Sequence, residues 1–518
     1  MCMVQQGGLE IIMEFTSILD LQENPDREQP RAAFFQDLNL NRVIERICQE
    51  WEEDVSSFYY YFPADRAGEA YRRAVYADVR QEGAYEALCA FVERMRWRQE
   101  ALEQKKKVCS RLAQLQKMVW HMTEVRHYCD AFVVLDRELS GISLKSRGMR
   151  EFQRYLKGYL EAEEFQGLFK TVCDIQERLD AIRLVLTYEN GRLAVTAGTV
   201  PGEYDGFLRK CFPGVSRQPG SPFGVSSDLS DLETEIIRLV QKQQPELFRA
   251  VQRFANQYKS YASETLLKFA SEVRFYLSFY RFEREMREAG YAFAAPEAAE
   301  DKAMYARELY DLALACVNMR ERKATIPNDM EYLEGECFFV LTGPNQGGKT
   351  TFARSLGQLV YFAKMGLDVP AAAANVHYFD GILTHFSVEE SLETGRGKLK
   401  EELVRLKPMM ESSGRNDFVV INELFTTAAN YDACIMGRRV LEHFAERRCS
   451  GIYVTHLREL AEEGGGIVSL RAMLDGNGRQ SFRIARSEAV ESANAANQVN
   501  KYRLSYGQLK ERLGGIQA

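Results

Sequence analysis

Residues 343–350 read Gly-Pro-Asn-Gln-Gly-Gly-Lys-Thr and fit the pattern G-x-x-x-x-G-K-[ST]. This stretch restricts the fold strongly, because its chemistry needs a buried strand ending at the first glycine and a helix opening at the lysine. "CFFVLT" supplies the strand and "TTFARSLGQLVYFAKMG" the helix. In that setting the glycines let backbone N–H groups wrap phosphates, Lys349 reaches the β- and γ-oxygens, and Thr350 offers a hydroxyl to Mg²⁺. A glycine-rich turn with an exposed lysine would need neither flank. The expected ATP-binding residues are Gly343, Pro344, Asn345, Gln346, Gly347, Gly348, Lys349, Thr350 and Thr351.

From this loop to about residue 485, apolar runs alternate with helical patterns: "CFFVLT", "GILTHFS", "FVVIN" and "GIYVTH". That alternation predicts a doubly wound parallel α/β domain. Within it, "FVVINELFTTAANYDA" (residues 418–433) reads as a buried strand delivering Asn422 and Glu423 to its carboxyl end. A nucleotide hydrolase ordinarily carries Asp-Glu there, the first facing the metal and the second the attacking water. Glu423 is therefore the expected water-orienting group, and Asn422 shares the metal position with Thr350. His456 ends a later strand, where it serves either to sense the γ-phosphate or as ordinary structure. It is carried as the second candidate catalytic residue.

The rest of the composition narrows the class. At 518 residues the chain exceeds one core, and 46% hydrophobic with 27% charged residues excludes a disordered or fibrous protein. A net charge of −7 leaves any nucleic-acid contact to local patches. The 11 cysteines are scattered singly from Cys2 to Cys449, which favours reduced thiols over a metal or disulfide framework. No apolar run approaches the ~20 residues of a membrane span, and the amino terminus is not a secretory signal, so a cytoplasmic protein is expected. Met13 is an alternative start.

Residues from about 30 to 182 have the composition of long helices. "RLVLTYENGRLAVTAG" reads as a hairpin turning at Asn190-Gly191, followed by a Gly/Pro-rich loop. Leu247, Val251, Phe254, Tyr258 and Tyr261, then Phe269, Val273, Tyr276 and Tyr280, predict one long amphipathic helix. A further helix is expected over Met304 to Asn318. The layout is two helical arms with a small β-rich insertion between them.

These residues carry a resemblance. "TGPNQGGKTTFARSLGQLVYFAKMGLDVPA" resembles the ATPase domain of the MutS proteins of DNA mismatch repair. The similarity continues through "FDGILTHFSVEESLETGRGKLKEEL", where Glu402 matches a family glutamate, and through "VVINELF…NYDA" and "YVTHLREL". "IPNDM" looks like the family's lead-in strand and adds Asn328 to the expected ATP-binding set. The resemblance implies a multidomain fold: an N-terminal segment (1–30), a helical core and lever domain (31–324) with a clamp-like insertion at about 183–230, and a P-loop, ABC-like α/β ATPase domain (325–518). It implies a weak ATPase that dimerises with a second copy through the ATPase domain.

Departures from the family shape the expected function. The chain begins almost at the lever region, so the mismatch-reading and connector domains are expected to be absent. Thr325 stands where the family places an aromatic residue on adenine, Ala429 replaces a serine that reaches the opposite subunit, and Asn422 replaces the Walker B aspartate. Glu423, Tyr431, Asp432 and His456 are kept. The expectation is an ATP-gated dimeric clamp on branched or deformed double-stranded DNA, in repair or recombination. The rival is a non-hydrolysing ATP-binding scaffold that acts through protein partners. Candidate phosphate contacts are Arg192, Arg209, Lys210 and Arg217 in the insertion, and less so Lys105 to Lys107.

Overall fold

The computed structural model describes residues 15–21, 33–49, 51, 55–109, 111–182, 184–189, 192–197, 231–386, 397–461 and 465–486. They form a mixed helix-and-sheet, multidomain protein of two compact units, residues 1–18 with 77–277 and residues 19–76 with 278–518. The first helices are α1 (Phe34–Asp37), α2 (Leu40–Cys48), α3 (Arg66–Val79), α4 (Glu82–Lys107), α5 (Ala113–Leu139), α6 (Arg147–Glu161) and α7 (Glu163–Asp180). After the pair β1 (Leu184–Glu189) and β2 (Arg192–Ala197) come α8 (Asp231–Gln243), α9 (Pro245–Gln257) and α10 (Glu264–Glu288). Strands β3 (Glu297–Ala299) and β4 (Met304–Leu309) lead to α11 (Leu312–Glu321), β5 (Asn328–Tyr332), β6 (Phe338–Thr342) and α12 (Lys349–Lys364). Then follow β7 (Ala373–His377), β8 (Gly381–Phe386), α13 (Lys398–Ser412), β9 (Asp417–Asn422) and α14 (Asn430–Glu446). The described chain closes with β10 (Ser450–Val454), β11 (Ile467–Leu474) and β12 (Gln480–Arg486).

The first unit is helical because its apolar residues recur at helical spacing. Along α5, Met122, Val125, Cys129, Phe132, Leu135 and Leu139 are all buried, in steps of three and four. β1 and β2 pair antiparallel from Leu184↔Ala197 to Glu189↔Arg192, the hairpin read from the sequence. The single long helix expected over 247–280 is two helices, α9 and α10. α9 stops where Tyr258 leaves helical backbone (φ −108°, ψ 42°). Side chains of α5 satisfy the freed groups: Tyr258 O binds His121 Nε2 at 3.0 Å, and the Ser263 N–H donates to Tyr128 Oη at 3.0 Å. The periodicity runs on across the break because both helices bury a face in one core, so periodicity alone could not locate it.

α5 also presents a buried carboxylate to the connector. Glu124 accepts hydrogen bonds from Lys105 Nζ at 2.7 Å and Tyr261 Oη at 2.6 Å. Burial pushes its pKa up, but hydrogen bonds from His121, Lys105 and Tyr261 outweigh burial and bring it down to about 2. A depressed carboxyl stabilises the fold above its unfolded pKa, and that stability is lost as pH falls toward the folded value. Glu124→Gln should therefore cost roughly 3 kcal/mol at pH 7. The difference from wild type should shrink between about pH 4.5 and 2 in urea unfolding; a pH-independent difference would refute this account.

The second unit holds two sheets. The larger has the order β12-β11-β6-β10-β9-β8. β11, β6, β10, β9 and β8 run parallel, and β12 lies antiparallel at the edge. Its strands β6, β8, β9 and β10 are the four apolar runs read from the sequence. Every residue of β6, β9 and β10 is buried, as expected of strands covered on both faces. α12, behind β6, is buried nearly all round, from Lys349 to Lys364. The smaller sheet has the order β3-β7-β4-β5.

The helix expected over Met304 to Asn318 is corrected: Met304–Leu309 is strand β4, and α11 begins at Leu312. β4 pairs antiparallel with β5 and β7 and buries Met304, Ala306 and Leu309. The Asp311 side chain caps α11 by accepting from the Leu314 N–H at 3.1 Å. Among the described residues, no helix is long and apolar enough to cross a membrane.

Candidate functional site

The segment between β6 and α12 turns back on itself through Gly343 (φ 141°), Gln346 (φ 61°) and Gly348 (φ 87°). At Gly343 a Cβ would lie 2.8 Å from Ala472 Cβ on β11, and at Gly347 it would lie 3.0 Å from Pro344 O. Glycine is required at Gly343 and strongly favoured at Gly347, whose N–H donates to Pro344 O at 3.2 Å, and the loop runs into the start of α12, where a helix N-terminus favours an anion. Lys349 is buried at the first position of α12 and donates from Nζ to Gly343 O at 3.2 Å and to Pro344 O at 3.0 Å. Burial lowers its pKa, and the nearby Glu423 carboxylate opposes that.

β9 brings the second group of residues. Thr350 Oγ1 donates to Asn422 Oδ1 at 3.0 Å, which ties the helix start to the strand end. Glu423, next along, has a left-handed backbone (φ 56°), and its N–H continues the ladder by donating to Val454 O at 2.9 Å. Its carboxylate lies 3.1 Å from His456 Nε2, delivered from just beyond β10. Phe425 is also left-handed (φ 62°), and its N–H donates to Glu402 Oε2 of α13 at 3.0 Å.

The loop, Lys349, Thr350, Glu423 and His456 line one cavity of about 580 Å³. Of the residues expected at the site, Asn328, Asn345, Gln346, Gly347, Gly348, Lys349, Thr350, Thr351, Glu423 and His456 line it. Gly343 and Pro344 reach it through their carbonyls on Lys349, and Asn422 through Thr350. Asn328 lines the wall, but its amide is committed to β12: Nδ2 donates to Phe482 O at 3.0 Å and Oδ1 accepts from the Ile484 N–H at 2.8 Å. The donor set fits a magnesium nucleotide: one ammonium and one hydroxyl face the cavity at the start of a helix, and the loop glycines leave the space a Cβ would fill.

The far wall was not legible in the sequence. Leu314, Ile326 and Phe482 line it, and Phe482 is 46% exposed with φ 58°, beside Gly348. Nothing in "RQSFRIAR" distinguishes that phenylalanine from an ordinary strand residue. Thr325 is held by Tyr291 Oη and Asn318 Nδ2, each at 3.0 Å, between the lining residues Ala324 and Ile326.

The residues expected to contact DNA phosphates fall largely outside the description. Arg192 lies in β2, with its side chain outside the description, and Arg209, Lys210 and Arg217 lie outside the described residues. Lys105 is turned onto Glu124, and Lys106 pairs with Glu103 at 2.8 Å.

Residues 339–496, which include most of this site, match the family model described as MutS domain V. The chain is 33% identical over 143 residues to the DNA mismatch repair protein MSH3 of Arabidopsis thaliana, covering 27% of this chain and 13% of that protein. It is 29% identical over 180 residues to the DNA mismatch repair protein spellchecker 1 of Drosophila melanogaster, covering 34% and 19%. To the DNA mismatch repair protein MutS of Petrotoga mobilis it is 27% identical over 176 residues, covering 30% and 22%. The matches thus span less than a quarter of these three relatives. The segment that supplies the loop, Asn422, Glu423 and His456 thus matches MutS domain V and is similar in sequence to DNA mismatch repair proteins of the MutS type.

Proposed function

We propose that the cavity binds MgATP and hydrolyses it slowly, and that the nucleotide governs binding of the chain to DNA in a repair or recombination role. The observation that carries this reading is the convergence of Lys349, the Thr350–Asn422 pair and the Glu423–His456 pair on one cavity. Lys349 transfers its Nζ donors from the two loop carbonyls to phosphate oxygens. Thr350, donating its proton to Asn422, keeps its lone pairs available for a cation. Glu423 orients the attacking water, and His456 holds the Glu423 carboxylate. The magnesium ion, when bound, neutralises phosphate charge.

The same reading takes 325–518 as an ATPase domain that pairs with a second copy, in a cytoplasmic protein. It takes 31–324 as core and lever arms with a clamp-like insertion at about 183–230, closing on branched or deformed duplexes. One observation favours a non-hydrolysing scaffold instead: an amide, not a carboxylate, stands against Thr350. ATP hydrolysis by the purified chain, alone and with linear duplex or four-way-junction DNA, separates the two. Slow hydrolysis stimulated most by the junction is expected. ATP bound without hydrolysis would leave the scaffold, and no ATP bound would remove both.

Asn422 sets a further expectation. Two unit charges ~4 Å apart interact by roughly 4 kcal/mol at an effective dielectric of 20, and an aspartate acting through a metal-bound water contributes less. Asn422→Asp should therefore lower the Mg²⁺ concentration for half-maximal rate and raise turnover. Superimposable curves of rate against Mg²⁺ for the two proteins would show that residue 422 does not act on the metal.

A further inference from the structure

The turn after β9 is unusual in its backbone. Glu423 and Phe425, neither of them glycine, have φ of 56° and 62° within three residues. Left-handed backbone at a bulky side chain persists only where the surroundings over-determine it. Three restraints act here: the Glu423 N–H on Val454 O, the burial of the Leu424 and Phe425 side chains, and the Phe425 N–H on Glu402 Oε2. The first two are what strand pairing and core packing supply anywhere. The third comes from a carboxylate on α13 that is only 4% exposed and does not line the cavity.

We infer that Glu402 is a positioning residue for Glu423: its carboxylate pins the Phe425 N–H and so fixes the direction in which the Glu423 side chain leaves the strand. A hydrogen bond from a backbone N–H to a buried carboxylate is stronger than one to a neutral acceptor. Removing the acceptor leaves the Phe425 N–H buried without this partner and frees the turn to relax toward ordinary backbone. The Glu423 carboxylate would then move, whereas the loop that holds phosphates, on the other side of β10, would not. The effect should therefore fall on turnover and spare nucleotide affinity.

This inference rests on the reading of Glu423 as the water-orienting group, and the test keeps the two apart. ATPase kinetics are measured on the full chain for wild type, Glu402→Gln, Glu402→Ala, Glu423→Ala and the double variant Glu402→Ala/Glu423→Ala. Glu402→Gln keeps an acceptor oxygen and should stay within about fivefold of wild-type kcat, because an isosteric neutral acceptor still occupies the N–H. Glu402→Ala should lower kcat by ~100-fold with KM nearly unchanged, the size expected when a reacting group is displaced by about 1 Å. The double variant should match Glu423→Ala alone, since a group that acts only through another has no effect once that other is gone. Amide hydrogen exchange of the peptide spanning residues 422–428 should quicken in Glu402→Ala and not in Glu402→Gln. Should the alanine variant not fold, Glu402→Asp, which withdraws the carboxylate by one methylene, takes its place in the series. A wild-type rate in Glu402→Ala, a further loss in the Glu423→Ala background, or KM rising in step with falling kcat overturns the inference. A wild type that does not hydrolyse ATP overturns the proposed function instead.

Discussion

Glu423→Ala is expected to bind ATP as wild type does and to leave it intact. The carboxylate stands just past the carboxyl end of β9, 3.1 Å from His456 Nε2, and lines the same cavity as Lys349 and Thr350. Groups that orient or deprotonate a nucleophile contribute roughly 10²–10⁴-fold to a rate, so turnover should fall by at least ~100-fold. Affinity rests on the loop and Lys349, and should change by less than about threefold. Single-turnover phosphate release and equilibrium binding of a fluorescent ATP analogue read the two quantities separately. Retained hydrolysis would take the water-orienting role away from Glu423.

Lys349→Ala should have the opposite signature, with binding itself lost. The ammonium is the cation that the loop places at the start of α12, and charge-assisted contacts are about twice as strong as neutral ones. Losing two or three of them to phosphate oxygens should weaken ATP binding by at least ~100-fold, since each 1.4 kcal/mol is tenfold. Lys349→Met, which keeps the apolar stem in its buried slot, controls for packing and should fail in the same way. ATP binding of either variant at wild-type affinity would remove the phosphate-cradle assignment.

What the sequence made legible follows from how local each determinant is. The loop at 343–350, the strand at 418–422 and the hairpin at 184–197 are specified by residues adjacent in the chain: glycines at fixed offsets, an unbroken apolar run, an Asn-Gly turn. Met304–Leu309 is helical by local preference, since Met, Ala, Arg, Glu and Leu all favour helix, and its strand state depends on pairing with residues 328–332 and 373–377. The break between α9 and α10 was hidden for a similar reason, because His121 and Tyr128, more than 130 residues earlier, satisfy the connector's backbone. Phe482 reaches the cavity because β12 folds back beside the loop and Asn328 holds the Phe482 carbonyl and the Ile484 N–H. Glu402 was visible as a matching residue, but its bond to a single backbone N–H could not be read before the turn was seen.

The grip of Lys349 on the carbonyls of Gly343 and Pro344 has a consequence for exchange. If the cavity takes a nucleotide as proposed, the loop is its own competitor: an arriving phosphate must displace two internal acceptors, and a departing one hands the amine straight back to them. Entry and exit are thus swaps of partners for a cation that is never stripped bare in a buried place. Such a swap flattens the energy difference between filled and empty loops. Under the proposed function it favours ready exchange of nucleotide over tight retention.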